Sequence, residues 1–133
     1  MLPTQTRIFV YTQRIDMRQS FDALSRCVRE ALKLDPESGA LFIFASKSGT
    51  SLKILWREKL GYSILYRRLD RGVFRLPDAV SGDASVLIDA RELALILQGV
   101  ESETRKLRVK TLVNRAREKA LRISDAATTQ SPA

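Results

Sequence analysis

Residues 47–75 carry eight cations, Lys47, Lys53, Arg57, Lys59, Arg67, Arg68, Arg71 and Arg75, against two anions, Glu58 and Asp70, a local net of +6. Arginine presents a planar fork of donors that matches a phosphate, and each phosphate neutralised releases condensed counterions. These residue types at this density suit a polyanionic partner, and the eight side chains are the candidate nucleic-acid contacts. They alternate with Leu52, Ile54, Trp56, Tyr62, Ile64 and Tyr66. The three aromatics either stack on bases or pack a core, and their aliphatic company favours the core. Lys47 lies in Ser46-Lys47-Ser48-Gly49-Thr50, which lacks the first glycine and the GK[ST] ending of a Walker phosphate loop. That segment reads as a hairpin turn whose lysine can still reach a phosphate.

Other chemistry is scarce. The chain has no histidine and one cysteine, Cys27, so a Cys/His zinc site and a histidine-based triad are excluded. Cys27 lies among Leu24, Val28 and Ala31 at helical spacing and reads as a small buried residue rather than a nucleophile. A two-metal nucleic-acid enzyme needs clustered carboxylates. The spacing of Asp16, Asp22 and Asp70 does not ask for such a cluster. No catalytic residue, metal site or cofactor is expected.

The cations need a scaffold, and the pattern supplies one. Residues 7–12 (RIFVYT) read as a first strand. Asp16 with Gln19 three residues on has the capping-box spacing, predicting a helix to about Leu34. Its stripe is Phe21, Leu24, Val28, Ala31 and Leu32, and Asp35-Pro36 stops it. Residues 40–45 (ALFIFA) are almost wholly apolar, which predicts a central strand covered on both faces. Period-two patterning then predicts an antiparallel meander over residues 52–56 and 62–69, with residues 73–76 as a short last strand ended by Pro77. Residues 78–85 look like a loop. Asp89 caps a second helix with Glu92 at the capping-box position, Leu93, Ile96 and Leu97 as its stripe and Gly99 at its end. This order predicts an α+β fold: an antiparallel sheet of about four to five strands packed with two helices.

The charge pattern divides the chain. Residues 1–100 hold 15 cations and 11 anions, and residues 101–133 hold eight cations and four anions. Val109, Leu112, Val113, Ala116, Ala120 and Ile123 keep helical spacing. Residues 1–100 are therefore expected to form one α+β domain, residues 101–124 a basic amphipathic helix and residues 125–133 a disordered tail. The whole chain of 133 residues has a net charge of +8 and is 44% apolar. No run approaches a membrane span, and the first residues lack a signal-peptide layout. With a lone cysteine, the expected location is the cytoplasm.

One stretch is more specific. Asp16-Met17-Arg18-Gln19-Ser20-Phe21-Asp22-Ala23-Leu24 resembles the DMRxxFDGL signature of the insertion-sequence-66 accessory family, the TnpB proteins (unrelated to the RNA-guided nuclease of that name). The resemblance continues through Asp35-Pro36, Ser38-Gly39, Leu41-Phe42-Ile43-Phe44 and Lys53-Ile54-Leu55-Trp56. It runs on through Gly61, Tyr66, Arg68-Leu69, Arg71-Gly72, Phe74-Arg75-Leu76-Pro77, Leu93 and Leu97-Gln98-Gly99. It covers about residues 5–100. Arg57-Glu58-Lys59 stand where the family usually has Trp-Asp-Gly, Ala23 replaces a glycine, and Lys47 alone remains of the basic residues often seen near Gly49. The resemblance implies an accessory role in bacterial DNA transposition, beside a separate DDE-type transposase, without strand-transfer chemistry.

Two functional expectations follow. One is a non-catalytic accessory protein that binds DNA, the transposase or both through a basic sheet surface. The other is an interaction adaptor or homo-oligomeric module without direct DNA contact, using the apolar stripe of residues 109–123.

Overall fold

β1 (Ile8–Tyr11) and β2 (Leu41–Ala45) lie side by side and parallel, with Ile8 opposite Leu41 and Val10 opposite Ile43. The connection between them carries α1 (Phe21–Glu30). β3 (Ser51–Arg57) returns antiparallel to β2, and β4 (Tyr62–Arg68) antiparallel to β3. β5 (Ser85–Ile88) pairs antiparallel with the free side of β1, and α2 (Ala90–Gln98) follows it. The sheet order is β4-β3-β2-β1-β5. The computed structural model describes residues 6–79 and 82–101, with Arg115, Arg117 and Lys119.

The expected α+β class holds, and β2 is the middle strand with all five residues buried. Two details differ. The sheet is mixed rather than wholly antiparallel, because a helical crossover joins β1 to β2. The last strand is residues 85–88, not 73–76. Val73 forms only an isolated bridge with Val100, while Phe74 turns inward and its N–H donates to the Gly49 carbonyl.

Each sheet face buries one helix. On one side Leu93 and Ile96 of α2 share a core with Ile8, Val10, Ile43, Leu52, Ile54 and Phe74. On the other, Leu24 and Val28 of α1 share a core with Phe42, Phe44 and Leu55. Phe9 stacks on Phe42 and Tyr11 meets Phe44 edge-on. Burial pushes the half-buried Cys27 thiol up, so it stays protonated at neutral pH, in keeping with a structural role.

The two helices begin differently. α2 has its capping box: Asp89 accepts from the Glu92 N–H and Glu92 accepts from the Asp89 N–H. At its other end Gly99 takes φ +68, and a Cβ there would stand 2.5 Å from Leu69 Cδ1. α1 does not start at Asp16. Its N-cap is Ser20, whose side chain makes no capping bond. It closes through the Leu34 N–H donating to the Val28 carbonyl, with Lys33 at φ +57 in the left-handed region usual at such closures.

Residues 1–100 form one compact unit and residues 101–133 another. In the second, Arg115, Arg117 and Lys119 are helical and exposed. The rest of the helix expected over 101–124, and the tail at 125–133, lie outside the described residues. No helix among the described residues is long and apolar enough to cross a membrane.

Candidate nucleic-acid interface

The β3–β4 hairpin carries most of the candidate cations, and its register decides where they point. Ser51 lies opposite Arg68, Leu52 opposite Arg67, Lys53 opposite Tyr66 and Arg57 opposite Tyr62. Cross-strand partners share a face, and neighbours along a strand alternate. Arg67 therefore shares the α2 face with Leu52, while Arg68 shares the α1 face with Lys53 and Tyr66. Both arginines are exposed because β4 is an edge strand.

At one end of the hairpin, residues 46–50 form the β2–β3 turn. Ser46 Oγ accepts from the Ser51 N–H and is 3.2 Å from Ser48 Oγ, which lies 2.7 Å from Thr50 Oγ1. Gly49, at φ +78, lets the chain pass close to Val73. Beside this turn is an open cleft of about 460 Å³, lined in part by Asp16, Ser48, Lys47, Tyr66 and Arg68. Lys47, Ser48 and Arg68 are exposed.

The cleft's one carboxylate is already engaged. Asp16 accepts from Arg18 Nε and Nη2, the latter at 2.6 Å, and from the Arg18 N–H at 2.9 Å. The Arg18 guanidinium, helped by its backbone N–H, holds the Asp16 carboxyl at about 2. This is the sole ion pair among the described residues. Lys47 adds a weaker electrostatic pull on Asp16, but neither it nor Arg68 makes a direct ion pair among them.

Lys53 requires a correction. The alternation places it on the polar parity of a half-buried strand, but β3 is covered on both faces and Lys53 is only 6% exposed. Its ammonium donates to the Met17 carbonyl at 2.6 Å and the Gln19 carbonyl at 2.5 Å. It also lies 5.1 Å from the Tyr66 ring centroid. In this position it fastens residues 16–20 to the sheet rather than facing a phosphate. Buried polar groups are retained when paired, and here the pairing is complete enough to seat a cation.

The opposite end of the hairpin is about 20 Å away, six residues along β3. There the Arg57 guanidinium lies 5.0 Å from the Tyr62 ring centroid, and Trp56 Nε1 donates to Glu58. Lys59 is exposed at the tip. Arg71 and Arg75 are exposed on the segment after β4. The eight candidates are thus distributed: Lys47 and Arg68 share the cleft, Arg67 faces the other way, Arg57 and Lys59 form a distant group, Arg71 and Arg75 follow β4, and Lys53 is inside.

The aromatics also divide. Trp56 and Tyr62 pack against the two cores, in line with the sequence expectation. Tyr66 does not: it is 54% exposed and lines the cleft. Sequence reasoning did not single out Arg14, whose guanidinium approaches Gly49, or Arg18, which neutralises Asp16. A parallel bridge between Ile15 and Ser46 brings this segment to the turn, and no local pattern announces it.

Residues 6–107 match the family described as IS66 Orf2-like protein. The chain belongs to that family. The IS66 Orf2-like assignment makes it a transposition-associated accessory protein of an insertion sequence. Two proteins of Sinorhizobium fredii are similar. One, the uncharacterized protein y4hO, is 38% identical over 103 residues, spanning 76% of this chain and 88% of that protein. The other, the uncharacterized protein y4jC, is 28% identical over 95 residues, spanning 71% and 80% respectively. No solved structure matches.

Proposed function

We propose that this IS66 Orf2-like protein is a non-catalytic accessory factor of DNA transposition that binds DNA through the cations around the β2–β3 turn and β4. The observation that carries the reading is the pairing of Lys47 and Arg68 in one cleft whose only carboxylate is occupied by Arg18. A protein face whose exposed cations outnumber its carboxylates attracts an external polyanion. Arg67, on the other face of β4, and Arg71 and Arg75, on the segment after it, are exposed cations close by in sequence. DNA held there serves the separate DDE-type transposase of the element, in the cytoplasm.

Fluorescence anisotropy against salt tests this. Affinity should fall linearly in log–log form, with a slope of about −0.9 per duplex phosphate contacted. Absence of DNA affinity at low salt would overturn the reading and leave an adaptor that contacts the transposase or a second copy.

A further inference from the structure

We propose that the cleft beside residues 46–50 holds one nucleotide of a single DNA strand, its phosphate between Lys47 and Arg68 and its base on the ring of Tyr66. This rests on the DNA-binding reading above and narrows it to a strand type and a site.

Three observations lead there. First, the cleft places cations next to an aromatic ring: Lys47, Arg68 and Tyr66 all line it. A phosphate and the base attached to it need such neighbours. Second, the ring is prepared on one side only. The Lys53 ammonium stands 5.1 Å from the Tyr66 centroid and is itself fixed by two carbonyls, while the tyrosine remains 54% exposed. Lys53 thus holds the ring in place from beneath and leaves surface for a planar ligand. Third, Asp16 would repel a phosphate, yet its charge is met by a bidentate Arg18. Positive charge therefore dominates the cleft.

The ring decides between strand types. In a duplex each base is stacked between neighbours and offers no face to a protein. In a single strand the faces are available, and aromatic stacking is largely indifferent to base identity. A volume of about 460 Å³ also falls in the range of small-ligand sites, enough for one nucleotide unit rather than a helix.

The test is anisotropy at low salt with fluorescein-labelled oligothymidylate and a duplex of equal length, using the full chain. The unmodified protein should favour the single strand by about 10-fold, the order expected for one stacked base. Tyr66→Leu should remove that preference and leave duplex affinity unchanged, and Tyr66→Phe should restore it. Arg68→Ala and Lys47→Ala should weaken both ligands. Thermal melts of each variant confirm folding. Equal affinity for the two strands, or a Tyr66→Leu variant that keeps its preference, overturns this inference while the DNA-binding reading stands. If neither DNA binds, that broader reading falls too. Free thymidine monophosphate that displaces the oligonucleotide at equal concentration would assign the cleft to a free nucleotide and overturn the strand.

Discussion

Asp16-Met17-Arg18-Gln19 leads up to α1 and Asp89-Ala90-Arg91-Glu92 opens α2, and their geometries are opposite. At the second, the aspartate and glutamate exchange bonds with each other's backbone, and α2 starts at once. At the first, the aspartate turns to Arg18, the carbonyls of Met17 and Gln19 turn to Lys53, and α1 waits until Phe21. The two segments hold the same kinds of donor and acceptor. They differ in what the fold sets against them. A buried ammonium 34 residues away in sequence competes for the backbone of the first, and among the described residues nothing comparable bonds to the second. A capping pattern states a local preference, and a tertiary partner with two charge-assisted bonds outweighs it.

Lys53→Met should make the largest break in this contrast. It leaves two carbonyls without their donor and should cost about 3 kcal/mol of stability, read from urea melts. A loss under about 1 kcal/mol would show that Lys53 does not hold the segment. Gly99→Ala comes next, striking the far end of α2, where a Cβ would collide with Leu69 and φ is positive. It should cost about 2 kcal/mol, with partial recovery when Leu69→Ala is added. Asp89→Ala removes a working cap and should cost about 1 kcal/mol, lowering the midpoint of thermal unfolding by several degrees.

The smallest effect belongs to Asp16. Its folded-state carboxyl lies at about 2, below the ordinary value of 3.8. The stabilisation from its pair with Arg18 is therefore complete above about pH 4 and is lost as pH falls through about 2. Asp16→Asn should flatten that part of the acid limb and change little at neutral pH, because the pair is exposed to solvent. A large loss at pH 7 would mean that the pair holds the segment more firmly than Lys53 does.

The same contrast explains what the sequence disclosed. The β3–β4 hairpin, the buried β2 and the capped α2 depend on neighbours within a few residues, and their patterns show it. β5 was missed because its four residues pair with β1, more than 70 positions earlier. Its flanks, Asp83 and Asp89, made the segment look like a loop running into a cap. The parallel pairing of β1 with β2 is likewise set by the α1 crossover and not by either strand alone. At the candidate site, Arg68 was legible because adjacent arginines on a strand point to opposite faces, so at least one must be exposed. Lys53 was not, because alternation reports a half-covered strand and β3 is covered on both faces. The exposure of Tyr66 follows from its place on the outermost strand, which only the sheet order reveals.

β4 has a consequence for how copies of the chain behave in a crowd. Among the described residues it pairs on one side only, so its other side presents open backbone groups, the usual starting point of runaway sheet growth. Arg67 and Arg68 sit together at the end of that edge, one projecting to each face. A second edge pairing alongside in the plane of the sheet would meet a guanidinium charge on both faces. The same two side chains that make the strand attractive to an acidic guest make it a poor template for its own kind.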